Sequence, residues 1–353
     1  MGMQVAIPAA RGSEMLQPAV TKLQCTRLKQ MCKILAFVLL AVSAFAQQLP
    51  DEDAIRIAEF YRLAAQIQDQ IWPNWSKTLA PLLLVTDKAE FLTHHPAPPK
   101  DFTKIGEDVY ARPRQFDTHL LATFPAFGPP AVIVIGQAQN TSAKSSTPWL
   151  ITLMHEHFHQ LQDSQPGYFD AVDTLDLKRS DTTGMWMLNY PFPYDRTDIM
   201  QSFSKLRDSL LKALAQTDPV EFNKVAADYI VQRKKTFAEL SVKDHKYLSF
   251  QLWQEGIARY TQIKAAEAAA GYHPTTDYRA LPDYEPFASL AARSRNETLA
   301  ELKSADISKL KRGFVYSFGA AEGLLLDRLN SDWRSEYFKH LLSTDDLFEA
   351  KEK

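Results

Sequence analysis

From Asp51 onward, the apolar residues Ile57, Phe60, Tyr61, Ala64, Ile67 and Ile71 recur at three- and four-residue spacing. That period predicts an amphipathic helix with acidic residues in its first turn, stopped before Pro73. Between Pro81 and Gln137 the texture changes. Short apolar runs (Leu82 to Val85, Val109 to Ala111, Leu120 to Phe124 and Ala131 to Ile135) are separated by prolines. They predict roughly three to five short strands, with AVIVI the clearest. A polar link from Gln137 to Ser146 then reaches Thr147 and Pro148. Thr147 is placed to cap a helix and Pro148 suits its first position, so a helix is expected to about Asp163. Residues 164–194 are aromatic- and proline-rich without a period and predict a long loop. Helical spacing resumes over roughly 197–216, 219–240, 244–270, 284–303 and 313–330. The expected fold class is α+β and helix-rich. A small mixed sheet with the helix ending near Asp163 occupies residues 47–163, and a helical part occupies 164–353.

The first 46 residues read differently. Ile34 to Ala46 is an apolar run preceded by Lys29 and Lys33 and ending in Ala44-Phe45-Ala46. This is the pattern of a signal peptide with a small-x-small cleavage site, too short to read first as a membrane span. Met31 opens a leader of ordinary length, so residues 1–30 read as an upstream extension. The expectation is an exported protein, periplasmic or secreted. Both cysteines, Cys25 and Cys32, lie in this leader. A mature chain from Gln47 has none, which excludes thiolate catalysis, thiolate zinc sites and disulfides. The leader also holds Arg11, Lys22, Arg27, Lys29 and Lys33 against Glu14 alone. The rest is therefore more acidic than the total charge of -2. An acidic body without basic runs argues against a nucleic-acid partner. No membrane-spanning stretch follows Gln47.

Within the helix ending at Asp163 stands Met154-His155-Glu156-His157-Phe158-His159, an H-E-x-x-H pattern. At about 100° per residue, His155 and His159 lie about 40° apart on one face and can reach one ion. Glu156 sits at the edge of that face, within reach of a water on the ion. His157 points about 160° away from His159, so it reads as a surface or outer-layer imidazole. Leu150, Met154, Phe158 and Leu161 form the face that packs into the core. A catalytic zinc takes three protein ligands and leaves a position open. The third is expected from a separate element. Glu255, in Trp253-Gln254-Glu255-Gly256-Ile257-Ala258, has the small neighbours that would let its helix approach the first closely. Glu322, in Gly319-Ala320-Ala321-Glu322-Gly323, is the second candidate. Arg259, one turn beyond Glu255, is placed to orient that carboxylate, to hold a substrate carboxylate or to face solvent.

HEHFH followed by WQEGIARY resembles the gluzincin metallopeptidases, distantly the aminopeptidase-N-like branch. Tyr316-Ser317-Phe318-Gly319-Ala320 is similar to that branch's Y-x-x-G-A segment. The resemblance implies a zincin-like fold with the sheet packed on the HExxH helix. It implies Zn2+ held by His155, His159 and Glu255, Glu156 as general base and Tyr316 as donor to the oxyanion. The substrate it implies is a peptide or protein. Two other classes stay open: a zinc hydrolase acting on another bond, and an exported zinc-binding interaction protein.

Overall fold

The structure is a computed structural model describing residues 48–349. The expected leader, its cleavage site and Met31 lie outside these residues. Helix α1 (Asp51–Ile71) buries Ile57, Phe60, Leu63, Ala64, Ile67 and Ile71, as its period requires. Asp51, Glu52 and Asp53 in its first turn face the positive end of the helix dipole. Trp72, extended ahead of Pro73, ends it.

Six strands follow: β1 (Leu82–Val85), β2 (Ala89–Thr93), β3 (Thr103–Lys104), β4 (Val109–Pro113), β5 (Leu121–Phe124) and β6 (Val132–Gly136). They form one mixed sheet in the order β3-β4-β2-β1-β6-β5. Only β1 and β6 pair in parallel; the other neighbours are antiparallel. Leu82, Leu84, Phe91, Ile133 and Ile135 point into the main core shared with the helices. Leu83, Val85, Leu92, Val132 and Val134 point the other way, under Phe102, Phe116, Phe124 and Phe127. A strand buried on both faces has no polar side to show, which is why β1 and β6 read as unbroken apolar runs. Strand β2 is absent from those runs for the converse reason. Its Glu90 is fully buried and accepts from Arg112 Nε at 2.7 Å. A carboxylate is tolerated there only because a cation stands on the neighbouring strand.

Helix α2 (Ser146–Asp163) begins after Ser145, so Thr147 is not its cap. The Thr147 hydroxyl instead donates to the Glu285 carbonyl at 2.7 Å, a tertiary bond that replaces the local one. Polar side chains pin α2 to the sheet. Trp149 Nε1 donates to the Gly136 carbonyl at 3.0 Å, and Gln160 Nε2 donates to the carbonyls of Pro81 and Ala131 at 2.9 and 3.0 Å.

The remainder is helical: α3 (Thr197–Ala215), α4 (Pro219–Ala238), α5 (Val242–Gln251), α6 (Ile257–Ala268), α7 (Phe287–Ser304), α8 (Phe314–Leu329) and the short α9 (Trp333–Tyr337). The stretch 164–194 contains two short helices, Tyr168–Thr174 and Trp186–Asn189. Its aromatic part lies on α5, with Trp186 stacked on Phe250 and Tyr190 on Tyr247. Met185 and Leu188 stay exposed. The segment expected as one helix over 244–270 is α5 and α6 joined by a π-helical turn, Leu252–Gly256. Among the described residues no helix is long and apolar enough to cross a membrane.

Candidate metal centre

Two elements far apart in the chain converge on one point. From α2, His155 Nε2 and His159 Nε2 stand 3.2 Å apart. From the π turn, Glu255 Oε2 lies 3.4 Å from His159 Nε2 and 3.7 Å from His155 Nε2. Bonds of about 2.0–2.2 Å to a tetrahedral ion place any two donor atoms about 3.3–3.6 Å apart. The observed separations of 3.2, 3.4 and 3.7 Å lie in or within about 0.1 Å of that range. Two imidazole nitrogens and one carboxylate oxygen also form a donor set suited to catalytic zinc.

The tautomer of His159 supports the same reading. Gln162 Nε2 donates to the carbonyls of Trp253 and Gln254 at 3.0 and 3.2 Å, and to the Tyr337 hydroxyl at 2.8 Å. That fixes the amide, so Gln162 Oε1 is the acceptor facing His159 Nδ1 at 2.7 Å. Nδ1 therefore carries the proton, and in the neutral ring Nε2 presents its lone pair to the cluster. Burial disfavours the His159 imidazolium, but the adjacent Glu255 outweighs it and lifts the pKa to about 9. Burial likewise opposes the Glu255 carboxylate, and His159 then holds it well below its usual range.

Glu156 completes the pocket. With His155 and His159 it forms a group whose potential ligand atoms all lie within 4.8 Å of one another. Glu156 and Glu255 thus both stand near the two imidazoles, and a contact from the sheet orients Glu156. The Thr123 hydroxyl donates to Glu156 Oε2 at 2.7 Å. Thr123 sits on β5, opposite Ile133 in the register, on the helix-facing side of the sheet. Tyr316, half-buried on α8, lays its ring parallel to that of His155 with centroids 6.3 Å apart. Burial raises the Tyr316 pKa and Glu255 raises it further, so the hydroxyl keeps its proton at neutral pH.

The π turn determines how Glu255 arrives. Such turns widen the helix locally and re-aim one side chain. Here Gln162 and the Tyr337 hydroxyl both donate to the Trp253 carbonyl inside the turn. The small neighbour expected to bring the helix of Glu255 against α2 acts elsewhere. A Cβ on Gly256 would stand 2.7 Å from Gly319 Cα, and one on Gly319 would stand 2.5 Å from Gly256 Cα. The close approach is thus to α8, and it draws Tyr316 and Glu255 toward the same point.

The other candidates fall away from the centre. His157 is buried, not superficial. Its Nδ1 faces Gln160 Oε1 at 2.9 Å and its Nε2 faces Gln68 Oε1 at 3.1 Å, and its ring stacks on Trp75. Glu322 accepts from Arg233 Nε at 2.6 Å and from the Tyr229 hydroxyl, far from either imidazole in its bonding. Arg259 donates to Gln262 and approaches Glu301, leaving Glu255 to another arginine. That arginine is Arg312, whose Nη1 reaches Glu255 Oε1 at 3.1 Å and whose Nη2 reaches the Tyr316 hydroxyl at 3.0 Å. Gln162 and Arg312 have a legible spacing, three residues after His159 and four before Tyr316. Thr123 leaves no mark in the sequence, because strand register alone brings it to Glu156. Comparison with protein-family models, curated proteins and solved structures returns no match.

Proposed function

We propose that this chain is an exported zinc-dependent peptidase built on a gluzincin-type, zincin-like plan. The observation that carries the reading is the triangle of His155 Nε2, His159 Nε2 and Glu255 Oε2, with separations of 3.2, 3.4 and 3.7 Å. Zinc bound there supplies a Lewis acid that polarises a carbonyl and makes a water acidic near pH 7.

The chain's own residues supply the rest. Glu156, oriented by Thr123, takes the proton of the attacking water and delivers it to the leaving amine. Tyr316 donates a hydrogen bond to the oxygen that becomes negative as the carbonyl turns tetrahedral. The peptide nature of the substrate draws support from the sheet. Strand β5 is the terminal strand on this side, and among the described residues no other strand pairs with its outer edge. An extended peptide added to that edge runs past Thr123, and so past Glu156, with main-chain hydrogen bonds holding it in register.

The test is hydrolysis of fluorescently labelled casein by the zinc-loaded chain. Activity should disappear with a chelator and return with zinc. Glu156→Gln should bind zinc as the wild type does and lose at least about a hundredfold in turnover. Wild-type turnover in Glu156→Gln would contradict the assignment.

A further inference from the structure

Glu255 faces two ways. Its Oε2 looks toward the two imidazoles, while its Oε1 accepts from Arg312 Nη1 at 3.1 Å. The same guanidinium donates through Nη2 to the Tyr316 hydroxyl at 3.0 Å and through Nη1 to Gln251 Oε1 at 3.2 Å. Gln251 Nε2 in turn donates to the Met187 carbonyl at 3.1 Å. One planar group therefore holds an oxygen of the third ligand, the proposed oxyanion donor and the helix on which residues 185–194 rest.

Two consequences follow from the donor-only chemistry of arginine. With Oε1 held by Arg312, the carboxylate is oriented so that Oε2 is the oxygen turned to the two imidazoles. And because Arg312 can only donate, the Tyr316 oxygen is its acceptor. The phenolic proton must then point away from Arg312 and is free to bond another oxygen. A lysine at position 312 would keep the charge but offer no rigid fork to reach both oxygens.

We infer that Arg312 is the positioning residue of this centre: it confines Glu255 to one-oxygen ligation and aims the Tyr316 proton outward to an oxyanion. This rests on the zinc-centre reading above. A merely structural salt bridge would steady the fold without coupling the ligand to the tyrosine.

The test uses cobalt(II) in place of zinc, whose visible spectrum reports coordination number, with acetohydroxamate as an oxyanion probe. The variants are Arg312→Met, Arg312→Lys, Tyr316→Phe and Arg312→Met combined with Tyr316→Phe. In both Arg312 variants the visible band should weaken toward the five-coordinate form as the second Glu255 oxygen is released. Arg312→Met and Tyr316→Phe should each weaken acetohydroxamate binding about tenfold, within the usual range for an outer-layer partner. The double variant should bind it no worse than Tyr316→Phe alone, because the two residues act as one unit. Arg312→Lys carries the same spectral test should Arg312→Met fold poorly. An unchanged spectrum in both variants, or losses that multiply in the double variant, overturns the inference while leaving the metal centre standing. Failure of the wild type to bind cobalt overturns the centre and this inference together.

Discussion

Glu255 and Glu322 occupy similar stretches of sequence and do opposite things. Each precedes a glycine, and each of those glycines is a point of close contact: Gly256 on Gly319, and Gly323 on the Tyr260 ring. Around Glu322 one oxygen is tied by its neighbours, while Oε2 is buried without a hydrogen-bond partner among the described residues. Its Oε1 takes Arg233 and Tyr229, and Arg233 goes on to Asp345 at 2.7 Å. His245 and Ser249 complete the shell of Asp345 at 2.8 and 3.2 Å. Glu322 and Arg233 are both buried, so the pair acts as an internal pin. Around Glu255 the charge is shared. Arg312 takes one oxygen, and the other faces two imidazoles. Small residues show where helix backbones touch. What a neighbouring carboxylate faces is decided by the helix on the other side, arginine-bearing in one case and histidine-bearing in the other.

The contrast can be broken from either side. The largest effect is expected for Arg233→Met, which strands Glu322 in the core. Removing one member of a buried ion pair costs about 3–5 kcal/mol, so thermal or denaturant unfolding should shift strongly. Zinc uptake by the folded fraction should stay at the wild-type level. Gly319→Ala comes next. A methyl group placed 2.5 Å from Gly256 Cα must push α8 off the π turn. Overpacking of this kind costs about 1–3 kcal/mol. Unlike Arg233→Met, this change should also weaken zinc binding, because the backbone carrying Glu255 is displaced.

The smallest effect is one of pH. Burial opposes the Asp345 carboxylate, but His245 and Arg233 hold its pKa below the ordinary value. A carboxylate depressed in the folded state contributes stability that is complete above its unfolded pKa, about 3.9. That contribution is lost as pH falls below this value. Denaturant midpoints should therefore decline below about pH 4, and Arg233→Met should flatten the decline. An acid profile identical in the two proteins would detach Asp345 from the pin.

Much of this arrangement is legible in the sequence, and the illegible parts share a cause. The period of α1, the apolar runs of β1 and β6 and the shared face of His155 and His159 follow from spacing alone. Local patterns fail where a distant partner changes the meaning of a residue. Glu90 breaks the apolar run of β2 and is neutralised from β4 by Arg112. Thr147 has the chemistry of a cap, but Glu285 claims its hydroxyl. Gly256 is small for the sake of α8 and not α2. His157 has the angle of an outward residue, yet α1 covers it through Gln68, and Trp75 stacks on its ring. The π turn has no composition that announces it, and it decides where Glu255 points.

The central claim is that Glu255, and not Glu322, closes a zinc site with His155 and His159. Zinc content of the purified wild-type chain, Glu255→Ala and Glu322→Gln, measured on folded protein after dialysis against a weak chelator, tests it most directly. About one zinc per chain is expected in the wild type and in Glu322→Gln, with most of it lost in Glu255→Ala. Full zinc retention by Glu255→Ala, or its loss from folded Glu322→Gln, would contradict the account.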